Sequence, residues 1–184
     1  MNMFYLDSDP IKCAEAHYDV HVRKMILESA QLLSTAHRIV DGTEIIKLDK
    51  AGRRRRTWIL EGEMEEVLYK STHFNHPVAK WLRESVANYE YLYDLYIQLG
   101  EEYEYRFGKK HKSMGLALWL SVPPENIPDK PFTTPAIATD DENRFLDNPI
   151  RSYRRYYATT KYSLCGYTRR KAPDWLTEYR EVTE

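Results

Sequence analysis

The chain has 184 residues, a length typical of one domain, and its formal net charge is −1. Its residues are 42% hydrophobic and 13% aromatic, which excludes a disordered chain, and no apolar run is long enough to cross a membrane. The N-terminal residues lack the features of a signal peptide, and two cysteines are too few for a disulfide framework. We expect a single domain over residues 1–184 in a reducing compartment, with no membrane partner, and the oligomeric state stays open.

The first predicted element is a long helix. Asp9 followed by Pro10 is typical of a helix start, and the apolar pattern continues to Val40. Residues 43–60 then consist of two apolar stretches around a turn-like segment, which predicts a β-hairpin. The second strand of this hairpin carries the basic run Arg53–Arg56.

The other predicted elements follow from proline positions and apolar patterns. They are a short helix, a second long helix opened by proline, a helical stretch, an irregular connection and a basic helix, at about residues 63–69, 77–100, 113–120, 122–148 and 149–164. An extension of the second long helix to Phe107 stays open. The sequence therefore predicts a mainly α fold, a single compact helical domain with a small β-hairpin insertion at about residues 43–60.

The first predicted helix carries a polar stripe in addition to an ordinary solvent face. On a helical projection five polar residues fall within roughly 40° of His17: His21, Lys24, Glu28, Gln31 and Thr35. Apolar residues flank this stripe on both sides: Val20, Leu27, Met25, Leu32 and Ala36. A second polar stripe lies opposite and is expected to face solvent: Lys12, Asp19, Arg23, Ser34 and His37. An amphipathic helix needs only one solvent-exposed face. The polar groups of the first stripe must therefore be hydrogen-bonded to partners or used in a site.

Three interpretations of the first stripe remain open. It is a buried hydrogen-bond ladder with Lys24 and Glu28 paired one turn apart, or it is the floor of an active site. In that site Glu28 acts as base or electrostatic stabiliser, Lys24 holds a phosphate or intermediate, and His17 and His21 carry protons. The third interpretation is a metal site, which the charge of Lys24 disfavours. Its ligands would be His17, His21, His73 and His76. We expect no metal and no cofactor.

A second set of candidates binds substrate or phosphate. It begins where a helix N-terminus favours anions and continues along the second long helix to its end. The set comprises His73, Asn75, His76, Arg83, Asn88, Arg106, Lys110 and His111. The alternative for these residues is ordinary packing, with favourable cations at a helix end.

A third set lies on the predicted basic helix. Seven Arg or Lys residues and no acid occur between Pro149 and Lys171. One face of the helix carries Arg151, Arg154, Tyr157 and Lys161. Cations interleaved with aromatic rings suit a nucleic-acid strand, because the charges contact phosphates and the rings stack on bases. The alternative is a solvated helix that packs through its tyrosines.

Four stretches of the sequence carry a resemblance to a known family. They are MNMFYLD at the start, His17 to Leu33, Thr72 to Pro77, and Tyr153 to Tyr157. Together they resemble a family of small tailed-phage proteins that is similar to the pyrimidine-dimer DNA glycosylases of the endonuclease V type. The resemblance to the phage group spans most of the chain, and that to the characterised glycosylases covers the N-terminal region.

The resemblance implies a compact, mostly helical protein that binds duplex DNA, kinks it and works without a cofactor. It also implies an N-terminal α-amine that attacks the sugar and forms an imine, assisted by a helix glutamate, for which Glu28 is the candidate. Asn2 is not small, so we expect Met1 to be retained and to supply the amine, unless Lys24 does so. A lysine forms imines only if burial lowers its pKa, and the flanking apolar residues predict that burial.

The leading hypothesis is therefore a phage-encoded DNA-processing enzyme in the cytoplasm of an infected bacterium, most concretely a glycosylase and lyase. In this hypothesis the basic helix and the strand with Arg53–Arg56 hold the DNA backbone. A second hypothesis is a protein that binds or hydrolyses a nucleotide, such as a host defence signal, through the same His, Lys and Arg side chains. A third is a partner-binding protein whose 15 tyrosines form an interface.

Overall fold

The computed structural model describes residues 1–181 and is 54% helical. The helices are α1 (Pro10–Ala16), α2 (Asp19–Asp41), α3 (Met64–Val67), α4 (Pro77–Leu82), α5 (Val86–Phe107), α6 (Ala117–Leu120), α7 (Pro149–Tyr156) and α8 (Asp174–Glu181). The strands β1 (Thr43–Leu48) and β2 (Arg54–Ile59) pair antiparallel. The prediction of a mainly α fold with a small β-hairpin is confirmed.

Short 3₁₀ and π turns extend these helices. A 3₁₀ turn leads into α6, another lies in the long connection before α7, and α7 continues through a π turn and a 3₁₀ turn. These segments are Lys112–Leu116, Asp141–Asn143, Tyr157–Lys161 and Tyr162–Leu164. No helix in the described chain is both long and apolar enough to cross a membrane.

The first predicted helix is in fact two helices, separated by a break at His17 and Tyr18. Both residues have extended backbone, with ψ values of 134° and 160°. The backbone carbonyls at the end of α1 bind distant side chains: the Arg106 guanidinium donates to Glu15 O at 2.9 Å, and the Tyr167 hydroxyl donates to Ala16 O at 3.1 Å. The prediction of one continuous helix was wrong because these tertiary contacts end α1 early.

The second predicted helix is also interrupted, at residues 83–85 between α4 and α5. Ser85 has extended backbone and is the N-cap of α5, where its hydroxyl accepts a hydrogen bond of 3.1 Å from the backbone N–H of Ala87. The same hydroxyl binds the backbone carbonyls of Lys130 and Pro131. The cap therefore also fixes the irregular connection against the start of α5.

The core lies where α1 and α2 pack against α5. One cluster of buried apolar side chains joins these helices to the N-terminal segment, α4, α7 and α8. Residues Met3–Leu6 run through this cluster and are all buried. Eight of the tyrosines are buried as well, so they pack the core and are not free to form an interface: Tyr5, Tyr18, Tyr89, Tyr91, Tyr96, Tyr103, Tyr153 and Tyr157.

Candidate functional site

Glu28 lies at the centre of a group of charged side chains. Its Oε2 is 3.9 Å from the α-amine of Met1 and accepts a hydrogen bond of 2.8 Å from the backbone N–H of Asn2. Its Oε1 is 3.3 Å from Nζ of Lys24, one turn earlier on α2. The Glu28 side chain is only 12% exposed. A half-buried carboxylate therefore contacts two different amines.

His76 and His73 lie beside this group. His76 is the N-cap of α4, and its Nδ1 accepts a hydrogen bond from the backbone N–H of Val78. Burial lowers the pKa of His76, and the positive charges of the N-terminal amine and of His73 lower it further, whereas the charge of Glu28 acts in the opposite direction. His76 is therefore within electrostatic range of the N-terminus, of His73 and of Glu28. We call Met1, Lys24, Glu28, His73 and His76 the amine cluster.

Asn2 anchors the chain at the amine cluster. Its Nδ2 donates a hydrogen bond of 2.9 Å to the carbonyl of Ala138, and its Oδ1 is 2.9 Å from the hydroxyl of Tyr153 on α7. The Tyr153 hydroxyl also accepts a hydrogen bond from the backbone N–H of Ala138. The contact of Asn2 with Tyr153 could not be found from the sequence, because no local pattern connects residues 151 positions apart.

His17 and His21 are buried in the core. The Nδ1–H of His17 donates to the carbonyl of Cys13 at 2.7 Å, and burial lowers the pKa of His17 to about 4. The Nδ1 of His21 is 2.6 Å from the Tyr157 hydroxyl, its ring stacks on Phe4 at 4.2 Å, and burial lowers its pKa to about 2. Both rings are neutral near pH 7, so the structure gives no support to their expected role as proton carriers.

The polar stripe of the first helix is buried at His17, His21 and Thr35 but open to solvent at Lys24. The side chain of Lys24 is 56% exposed, and the apolar neighbours Val20 and Leu27 are exposed too. Ser34 and His37, expected on the solvent face, are buried. The expectation for Ser34 and His37 was wrong because α4, α6 and the hairpin also pack against the second half of α2. The burial expected for Lys24 is absent.

Asn88 and Arg106, two expected phosphate ligands, are buried and fully engaged inside the protein. Arg106 forms ion pairs with Glu102 at 2.6 Å and with Asp19 at 3.0 Å. The Asn88 amide donates to the hydroxyl of Thr133 and accepts from the backbone N–H of the same residue. Both side chains hold elements together, and the structure does not present either of them to a ligand.

The remaining candidates around α4 and α5 are dispersed. Arg83 is half-buried and donates to the carbonyl of Phe74 at 2.9 Å. His111 is the N-cap of the 3₁₀ turn before α6, whereas Asn75 and Lys110 are exposed. Within residues 1–181 no hydrogen bond or ion pair joins these four residues to the amine cluster.

The predicted nucleic-acid face of α7 is only partly outward. Arg154 donates through Nε to the carbonyl of Leu6 at 2.8 Å, and Tyr157 is completely buried. Arg151 and Lys161 do reach the surface region, each lying over an aromatic ring. Two of the four residues therefore hold the N-terminal segment and the core, because their partners come from the start of the chain.

A basic groove is lined in part by His73. It has a volume of about 540 Å³ and is lined by Arg54–Thr57 of β2 and by residues Ser71–Phe74. These eight positions include three arginines and one histidine but no carboxylate, so the lining suits an anion. Grooves elsewhere, such as the one between α1 and α5 with Glu15, contain carboxylates. We call this feature the arginine groove.

The structure brings together only part of the expected metal site. Across residues 1–181 no group of three or more His, Cys, Asp or Glu side chains is arranged to hold a metal ion. His17 and His21 lie in the core, whereas His73 and His76 belong to the amine cluster.

Comparison of the chain with protein-family models, characterised proteins and solved structures gives no match. The resemblance to the phage family therefore stays a prediction.

Proposed function

We propose that the chain is a DNA-processing enzyme, a glycosylase and lyase of the pyrimidine-dimer type that forms an imine through the α-amine of Met1. The observation that supports this proposal is the position of the Glu28 carboxylate, 3.9 Å from the Met1 amine and hydrogen-bonded to the Asn2 backbone. An amine and a carboxylate held this close match the pair that imine chemistry on a sugar requires.

The proposed reaction starts with attack of the neutral Met1 amine on C1′ of a deoxyribose. A bond forms between the amine nitrogen and C1′, while the bond from C1′ to the base breaks and the base leaves with its electron pair and takes up a proton. Opening of the sugar ring gives the imine, and loss of a C2′ proton then expels the 3′ phosphate. Glu28 stabilises the positive charge of the imine and accepts protons from the amine and the sugar.

Met1 is a better candidate for this amine than Lys24. In model peptides an α-amine loses its proton near pH 8, whereas a lysine does so at about 10.4. Lys24 is 56% exposed, so burial does not assist it. We assign Lys24 the role of a cation beside Glu28 that attracts the phosphates of the substrate.

Cations near the amine cluster support a polyanionic substrate. The charges of Lys24 and Lys161 both lower the pKa of His21, so both lie near this end of α2. His73, whose charge acts on His76, belongs to both the amine cluster and the arginine groove. A DNA strand bound at the cluster would meet positive charge from these lysines and from the groove.

Borohydride trapping tests the proposal. Purified protein is incubated in EDTA with duplex DNA that contains an abasic site, and with ultraviolet-irradiated and untreated plasmid. We expect a covalent adduct, nicking of irradiated plasmid, and a trapped sugar on the N-terminal peptide in mass spectrometry. Glu28→Gln should slow trapping by about a hundredfold, as loss of an acid–base group does.

The controls separate the two amines. An N-terminal Gly-Ser extension should displace the amine and abolish trapping, whereas Lys24→Gln should leave the trapped peptide unchanged. Glu90→Gln, which removes an exposed carboxylate of α5, should trap like the unmodified protein. Trapping on the peptide that contains Lys24, or no adduct with any of these DNA substrates, would contradict the assignment of Met1.

The size of the arginine groove favours a second candidate function. A volume of about 540 Å³ is within the range of small-ligand sites, and its arginines suit a single phosphate. The chain would then bind or hydrolyse a nucleotide without contacting an extended strand. Duplex binding weakens steeply with salt, since several phosphates are neutralised, whereas binding of one nucleotide weakens much less. A salt titration with each ligand therefore distinguishes the two functions.

A further inference from the structure

The β-hairpin projects from the protein with an uncovered apolar surface. Ile46 on β1 is 53% exposed and Leu48 is 69% exposed. The residues that surround them, from Thr43 to Arg56, are exposed or half-buried as well. Apolar side chains grouped on a projecting element are a typical sign of a binding surface.

The base of this hairpin is held rigidly. The Arg38 side chain is fully buried and donates to the carbonyl of Trp58 at 3.1 Å and to the carbonyl of Leu68 at 3.0 Å. It also forms an ion pair with Glu65, whose carboxylate accepts the backbone N–H of Leu60. The hairpin therefore projects from a fixed base, which reduces the entropy lost when it binds a partner.

One face of the hairpin combines arginine with apolar side chains. In the strand register Ile46 is opposite Arg56, and Leu48 is opposite Arg54. Residues directly opposite one another project to the same side of a sheet, so these four side chains share a face. Side chains alternate between the two faces along β2, so Trp58 lies on the same face as Arg54 and Arg56.

That same face looks onto the arginine groove. The Trp58 ring contacts the Phe74 ring, with 4.8 Å between centroids, and Phe74 lines the groove. The Arg56 guanidinium lies over both rings, at 5.1 and 5.3 Å from their centroids, which holds it in place at the groove. The apolar tip and the basic groove therefore form one continuous surface next to His73.

The charges of the hairpin are not all neutralised. Asp49 in the turn pairs with Arg53 at 3.0 Å and with Arg55 at 3.2 Å, and Arg56 pairs with Glu44. No ion pair of Arg54 is seen within residues 1–181. Among the described residues, the shared face thus carries one arginine without an ion pair and a second whose carboxylate partner, Glu44, is exposed and replaceable by phosphate.

We propose that this face is a DNA-binding arm that enters the minor groove beside the reacting nucleotide. Arg54 and Arg56 contact backbone phosphates, while Ile46 and Leu48 pack against sugars and base edges. Strand pairs bind in the grooves of duplex DNA, and minor-groove proteins combine arginines with apolar wedges. The inference rests on the proposed function, because it takes the DNA substrate from there and adds how the duplex is held.

Fluorescence anisotropy with a short duplex oligonucleotide tests the arm. The double variant Arg54→Gln/Arg56→Gln should reduce the slope of log K against log salt by about 1.8, which corresponds to two lost phosphate contacts. Lys47→Gln/Lys50→Gln removes the same charge from the hairpin outside the shared face and should leave the slope nearly unchanged. An unchanged slope in the arginine variant, or equal losses in both variants, would overturn the proposal.

The apolar part of the arm has its own test. Ile46→Ser/Leu48→Ser should weaken duplex binding about tenfold or more without changing the salt slope. Leu118→Ser, at a residue that is 83% exposed elsewhere on the surface, is the matched control and should bind normally. Full affinity in the Ile46/Leu48 variant would show that these two side chains do not pack against the DNA. Competition with thymidine monophosphate tests the alternative. If this nucleotide displaces the duplex as effectively as free oligonucleotide does, the face is a nucleotide pocket and not a DNA-binding arm.

Failure of the arm and failure of the amine chemistry give different results. Cyanoborohydride trapping of 2-deoxyribose by the unmodified protein needs neither a duplex nor a phosphate contact, so it tests the amine alone. If trapping fails and the salt slopes still change as expected, the arm stands and the glycosylase proposal falls. If trapping succeeds and the slopes do not change, the glycosylase proposal stands and the arm falls.

Discussion

The buried histidines of this protein are neutral parts of its core. The ring of His21 lies between Phe4 and Tyr18, and its Nδ1 is next to the Tyr157 hydroxyl. The Nε2–H of His37 donates to the hydroxyl of Tyr89, which itself donates to a backbone carbonyl. Protonation of these rings would place a charge in an apolar environment, which is costly. The folded state therefore favours the neutral form of these rings.

We predict that the protein loses stability as the pH falls below about 6.5. Burial lowers the pKa of His17 and of His37 to about 4. An unfolded chain protonates its histidines near pH 6.5, so below that pH the unfolded state binds protons that the folded state does not. The free energy of unfolding should fall by up to about 1.4 kcal/mol per pH unit for each such histidine, until the folded pKa is reached.

Urea unfolding at pH 7 and at pH 5 measures this loss. The variant His37→Gln, which keeps a hydrogen-bonding group near Tyr89, should show a shallower dependence on pH than the unmodified protein. A free energy of unfolding that is the same at both pH values would show that these histidines are protonated in the folded state as easily as in the unfolded chain.

Among the structural elements, the base of the hairpin depends on one arginine. Arg38 bonds to carbonyls on β2 and in the segment after α3, and its partner Glu65 also pairs with Lys70. Lys70, the Leu60 backbone and Arg38 together lower the pKa of Glu65 to about 2. The hairpin and α3 are therefore positioned on α2 by charge-assisted hydrogen bonds as well as by apolar packing.

We predict that Arg38→Met lowers the free energy of unfolding by about 3–5 kcal/mol, because it leaves the Glu65 carboxylate and several carbonyls without their donor. Arg54→Met, at an exposed position of the same hairpin, should change it by less than about 0.5 kcal/mol. Urea denaturation gives both values, and hydrogen exchange at Leu60 should become faster in the first variant alone. Equal stability of the two variants would contradict a structural role for Arg38.

At the level of the complete fold, the N-terminal segment is part of the core. Leu6 is fully buried, its backbone N–H contacts the Cys13 sulfur, and its carbonyl accepts a hydrogen bond from Arg154 on α7. The hydroxyl of Tyr91 donates to the carbonyl of Asp7 at 2.8 Å. These contacts of the N-terminal segment fix the position of the Met1 amine.

We predict that Leu6→Ala destabilises the protein by about 2–5 kcal/mol, the usual result of emptying a buried leucine site. It should also reduce trapping at Met1, because the segment that positions the amine loosens. Leu118→Ala, at an exposed leucine, should change neither quantity. Thermal or urea unfolding together with the trapping assay checks both effects, and a stable Leu6→Ala protein with full trapping would contradict them.

Several features of the fold could be predicted because they depend on residues close in sequence. Three helices begin with a proline, at Pro10, Pro77 and Pro149, and each proline follows a residue whose side chain caps the helix. The hairpin was predicted over residues 43–60 and is observed within those bounds. Capping, proline geometry and turn residues act over a few positions, so a single sequence contains the information for them.

The candidate site could be predicted only in part. Glu28 and Lys24 are one turn apart on α2, so their pairing was predictable from spacing. The roles given to His17 and Arg106 assumed exposed or site-facing side chains, whereas both are buried and hydrogen-bonded within the protein. Burial depends on which elements cover a helix, and the periodicity of one helix does not contain that information.

The amino-acid sequence by itself determined the helical class, the hairpin with its arginines and the caps that start the helices, because short-range sterics and hydrogen bonding govern these features. The position of the Met1 amine beside Glu28 and the break at His17 arise only in the folded chain. They depend on the contact of Asn2 with Tyr153 and on that of Arg106 with the end of α1, between residues 151 and 91 positions apart. Contacts over such distances form only when the whole core packs, and they place the amine where the proposed chemistry needs it.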